Sequence, residues 1–118
     1  MKKCLVITIC LLLCFVCTAC GVTSEVEAKL KIDRWAYQDS ALGTNFIQVY
    51  EFYDDGKYMD TLLLESGGSA DNHGTYEVTE DAIILVNEDG REITWTYVYE
   101  DGELKLFNAS GQQLYNIE

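Results

Sequence analysis

Ser69, Asp71 and His73 come nearest to a reactive set in this chain, because a hydroxyl, a carboxylate and an imidazole are the parts of a nucleophilic triad. All three fall in the polar run Ser66-Gly67-Gly68-Ser69-Ala70-Asp71-Asn72-His73-Gly74, which has no nucleophile-elbow pattern and reads as one flexible loop. His73 is the only histidine, so neither a His-rich zinc site nor a facial metal triad can be assembled. Carboxylates are plentiful and calcium favours oxygen ligands, but no glycine-containing turn has the Asp-x-Asp-x-Asp-Gly and terminal Glu spacing of an EF-hand. A glycine-rich phosphate cradle is also missing. The chain is therefore expected to be non-enzymatic, with no cofactor and no resident metal.

Binding is the chemistry that remains. Trp35, Phe52, Tyr58, Tyr76, Trp95 and Tyr97 are the candidate ligand-binding residues. Their rings would stack on a small apolar or sugar-like ligand near a mouth of the fold, or else fill its core. Formal charge sets a second class of partner. Eight basic residues face 20 acidic ones, for a net charge of −12. Nucleic acid is excluded as a partner, since phosphate contacts need an excess of Lys and Arg. A basic protein or cationic peptide is attracted instead.

Elements able to position these residues follow from hydrophobic period. From Ile32 onward apolar residues alternate, and turn signals recur at the spacing of an all-β barrel or sandwich. Expected strands are Ile32–Gln38, Asn45–Tyr53, Lys57–Leu64, Gly74–Val78, Ala82–Asn87, Arg91–Tyr99, Glu103–Phe107 and Gln112–Ile117. In the sixth, Ile93, Trp95, Tyr97 and Tyr99 share one face and must be core, while Glu92, Thr94, Thr96 and Val98 share the other. Ile84, Val86 and Phe107 are left on the outer face, where they could mark a partner surface. Asp-Gly pairs at Asp55-Gly56, Asp89-Gly90 and Asp101-Gly102 supply the positive φ angles of tight hairpins.

Consecutive hairpins without proline close most simply into an antiparallel, up-and-down eight-stranded barrel, which removes exposed edges. Trp35, Phe52-Tyr53-Asp54-Asp55-Gly56-Lys57-Tyr58, Gly74-Thr75-Tyr76-Glu77-Val78 and Asp101-Gly102-Glu103-Leu104-Lys105-Leu106 together resemble the lipocalin-like domain of small bacterial lipoproteins. That resemblance implies a barrel with a small-molecule or protein-binding role and no shared catalytic residues. Alternate turns would share an end. Asp54, Asp55, Glu80, Asp81, Glu100, Asp101 and Glu103 would form an acidic pole, and the Ser66–His73 loop would lie at the far one.

The N-terminus gives the location. Lys2 and Lys3, the apolar run Leu5–Val16, and Cys17-Thr18-Ala19-Cys20-Gly21 resemble a bacterial lipoprotein signal peptide. The resemblance implies cleavage after residues 1–19, lipidation of Cys20, and a membrane anchor on the extracytoplasmic face. All five cysteines lie at or before Cys20, so the exported domain is expected to have no disulfide. Loss of the two lysines leaves six basic against 20 acidic residues, a mature charge of −14. Residues 20–31 read as a lipidated tether holding one or two helical turns, with Ser24 and Glu27 as a capping box. Residues 32–118 read as the barrel.

Overall fold

The computed structural model describes residues 22–41 and 43–117; Cys20 and the expected signal of residues 1–19 lie outside the described residues. Among the described residues, no helix is long and apolar enough to cross a membrane. Helix α1 occupies residues 22–32 and is followed by eight strands. These are β1 (Arg34–Ala41), β2 (Thr44–Phe52), β3 (Lys57–Leu64), β4 (Ser69–Val78), β5 (Ala82–Asn87), β6 (Glu92–Glu100), β7 (Glu103–Phe107) and β8 (Tyr115–Ile117).

Every pairing is antiparallel, and the sheet order is β7-β6-β5-β4-β3-β2-β1-β8. The segment after β7 joins the two edges. Gln113 bridges Phe107, and the Leu114 N–H donates to the Leu106 carbonyl at 2.8 Å. Directly after Leu114, β8 pairs with β1 through Arg34↔Ile117, Trp35↔Asn116 and Ala36↔Tyr115. One short stretch thus stitches a meander into a nearly closed eight-stranded barrel. The Asn108 side chain organises the turn before it, its Oδ1 accepting from the N–H groups of Ser110 and Gln112.

Local chemistry explains the elements. At the β6–β7 hairpin, Asp101 and Gly102 both have positive φ, 54° and 75°, the geometry whose twist matches the flanking strands. Strands β3, β5 and β7 run where the alternation of apolar residues places them. Strand β4 does not: it starts at Ser69, five residues before the expected Gly74. The polar stretch Ser69–His73 has weak strand propensity, but pairing from Leu63↔Ser69 to Met59↔His73 supplies the ladder that propensity does not. Strand β8 is shorter than expected because residues 108–114 are used in turning back.

The N-terminal segment differs most. Helix α1 is already helical at Val22 and spans about three turns, so Ser24 lies within it and not at its cap. Val22, Val26 and Leu30, spaced by four, form one apolar face. Val26 and Leu30 are fully buried in the barrel's own core cluster, with Val22 packed against it. The Trp35 Nε1–H donates to the Leu30 carbonyl at 3.2 Å, satisfying a C-terminal helix oxygen that would otherwise be orphaned. Lys31 reaches Asp54 in the β2–β3 turn at 3.0 Å. The expected tether is therefore a plug across the acidic pole.

Candidate functional site

Register fixes what lines the interior, because side chains alternate across a strand. From β1 through β4, one inward row is Trp35, Tyr50, Asp60 and Asn72. Below it, toward the plug, lie Phe52, Tyr58 and Gly74; above it lie Tyr37, Gln48, Leu62 and Ala70, then Asp39, Phe46 and Leu64. The inner wall thus passes from aromatic, through polar, to mixed.

The lower half is solid. Trp35, Phe52, Tyr58, Tyr76 and Trp95 are all buried in one cluster with Val26, Leu30, Ile83, Leu85 and Leu106. Phe52 meets Tyr76 edge to face at 4.9 Å, and Tyr50 meets Trp95 at 4.6 Å. Five of the six expected ligand-binding aromatics are therefore brought together, but as the packing beneath a floor. The sixth, Tyr97, is half-buried and donates to the carbonyls of Thr79 and Glu80, tying β6 to the acidic pole. Burial pushes the Tyr76 hydroxyl up to about 12, with smaller contributions from Glu27, Asp54 and Asp55.

The upper half is open. Strand β5 pairs with β4 only between Val78 and Gly74, so Ser69–His73 has no strand on that side. Strand β1 pairs with β8 only from Arg34 to Ala36. Strands β1–β4 therefore rise as a tall wall above a shorter one, and Asp39, Ala70 and Asn72 are exposed although they point inward. At the top of the wall an open hollow of about 570 Å³ is lined by Asp39, Phe46 and Leu64 of the inner row and, for the larger part, by outward-facing neighbours that include Gln38, Ile47 and Leu63.

Between floor and rim sits Asp60, only 7% exposed. Its Oδ1 accepts from Gln48 Nε2 at 2.8 Å and from Asn72 Nδ2 at 3.4 Å. Burial holds its carboxyl above the usual carboxylate range, opposed by those two hydrogen bonds and by His73. Burial likewise raises Tyr37 and Tyr50, whose hydroxyls interact with each other and feel the Asp60 charge. Tyr58 is pushed up to about 12 by burial and then by Asp60, and its hydroxyl has no hydrogen-bond partner.

A raised carboxyl pKa means that the folded state holds the proton to higher pH than the unfolded state. Stability is then lost as pH rises through the interval between the two values. Asp60→Asn keeps an acceptor for Gln48 and Asn72 and removes the charge. It is expected to raise stability at neutral pH and to flatten the dependence below it, as read by urea denaturation between about pH 3 and pH 8.

Other expected features resolve differently. Ser69, Asp71 and His73 lie two apart on the outward face of β4, exposed and in a row, and the His73 backbone N–H donates to Glu88 Oε1 at 3.0 Å. Ile84, Val86 and Phe107 are half-buried on the outer face. Among the described residues, no cluster of His, Cys, Asp and Glu could hold a metal ion.

No protein-family model matches the sequence, and no curated protein is significantly similar to it. Among solved structures, the chain is similar to the Cpx pathway activator NlpE from Escherichia coli, with a TM-score of 0.51 and 16% sequence identity. The match covers 73% of this chain and 45% of that one, so the chain spans less than half the length of this neighbour and the likeness is one of fold.

Proposed function

We propose that this protein is a lipid-anchored, extracytoplasmic, non-enzymatic binding module that takes a small ligand with an apolar body at the open end of its barrel. The asymmetry of the two ends carries this reading: α1 and an aromatic core fill one, while inward-facing side chains meet solvent at the other. Phe46 and Leu64 supply apolar surface there, with Ile47 and Leu63 of the outer face, and the hollow of about 570 Å³ that they line falls within the size range of small-ligand sites. In this reading Cys20 carries the lipid. Mass spectrometry of protein from the membrane fraction is expected to find a diacylglyceryl cysteine at the mature N-terminus, and an intact Met1 would refute the anchor. Native mass spectrometry of the same material would reveal a retained ligand.

A second reading, a surface module for a basic protein or cationic peptide, is favoured by the unpaired edge of Ser69–His73. Such an edge can accept an added strand, and Asp71 on it and Glu88, bonded to the His73 N–H, give it acidic charge. The fold's likeness to a pathway activator also supports a role exercised by contact. Binding that weakens with salt would favour it over the first.

A further inference from the structure

The inward-facing residues of β1–β7 include two carboxylates, Asp39 and Asp60, and no Lys, Arg or His. Among the described residues the ion pairs are Lys31–Asp54 and Lys57–Asp55, both at the plugged pole. Asp60 is thus a nearly buried acid with no ion pair among the described residues and no inward-facing cation, His73 acting on it only from the outward face of β4, and both of its side-chain hydrogen bonds converge on Oδ1. A carboxylate held this way is costly unless something positive comes to it. Its neighbours suit a cation. Tyr50 lies across β2, Tyr37 stacks on Tyr50 with centroids 6.4 Å apart, and Tyr58 lies two residues away on the same face. Phenol rings attract ammonium groups through their negative faces. The Tyr58 hydroxyl, on a residue 1% exposed, has no partner of its own.

We propose that the open end of the barrel binds an amine with an apolar body, its ammonium group seated on Asp60 among Tyr37, Tyr50 and Tyr58 and its hydrocarbon part along Leu62, Phe46 and Leu64. The inference rests on the ligand-binding reading above and adds the charge of the ligand. Along β3 the rise of about 3.3 Å per residue puts Leu62 and Leu64 about 7 and 13 Å above Asp60, enough for a chain of several carbons.

The test is an NMR titration of the full-length chain in detergent micelles with hexylammonium chloride, hexanol and sodium chloride, each also against Asp60→Asn. Hexylammonium is expected to bind at least 10-fold more tightly than hexanol and to shift resonances of Asp60, Tyr37 and Asn72. In Asp60→Asn the two probes should become equivalent. Equal affinity of both probes for the unaltered chain, with the same residues shifted, would overturn the ammonium site and leave the binding reading standing. Absence of saturable shifts at these residues with either probe would overturn both. A response to hexylammonium matched by sodium chloride would overturn the ammonium site as general screening. Preference and shift map on the unaltered chain decide the matter even if the variant does not fold.

Discussion

Leu30→Asp is expected to destabilise the protein by at least about 4 kcal/mol, a large fraction of the roughly 5–15 kcal/mol available to a small domain. Leu30 is fully buried within the core cluster. Its loss removes apolar contacts and places a carboxylate where no donor waits. The damage spreads, because Val26 shares the same helix face and the Trp35 Nε1–H bond to the Leu30 carbonyl depends on the helix being docked. Ile32, on the same helix and 71% exposed, is the control: Ile32→Asp should shift stability by no more than about 0.5 kcal/mol. Urea denaturation followed by tryptophan fluorescence measures both. Equal effects from the two substitutions would show that α1 does not contribute to the fold through its buried face.

Gly74→Ala is expected to cost about 3 kcal/mol or more. An added Cβ would meet the Val86 carbonyl oxygen, Tyr58 Cε1 at 2.6 Å and the Asn87 Cα at 3.0 Å. Two of those three atoms belong to the β5 backbone, so relief requires β4 and β5 to part where their pairing ends, at Gly74↔Asn87. Gly68→Ala gives the contrast. Its Cβ would approach only Leu64 Cδ1, at 3.2 Å, the tip of a side chain that can turn aside. A loss within about 1 kcal/mol is expected there. Amide exchange should show the Gly74→Ala damage concentrated in Tyr76–Val78 and Ile83–Leu85.

How far the sequence discloses this arrangement depends on what each segment does with its polar residues. Where apolar and aromatic side chains run between turn signals, as from Lys57 to Leu64 and from Ala82 to Asn87, the strand and its bounds are legible. Ser69–His73 gives no such signal, because its strand structure is imposed by pairing with β3 and both of its faces are wet. Helix α1 was legible in part. Val22, Val26 and Leu30 carry the spacing of a buried helix face, but what such a face packs against depends on which end of a barrel is left unfilled. Asp60 lies two residues from Tyr58 and from Leu62, so alternation alone turns it inward. Its lack of an inward-facing cation emerges only once the strands on either side are registered. Tyr37 and Tyr50 share parity with Trp35 and Phe52, and were open to the same deduction.

The docking of α1 from Val22 onward also governs reach. Between Cys20 and Val22 there is room for at most about 7 Å of chain. In the anchoring at Cys20 proposed above, the barrel would have almost no leash: it would ride on the lipid headgroups, acid turns downward, without sweeping the space around it. In that reading, whatever it captures would have to come to the bilayer and approach from above.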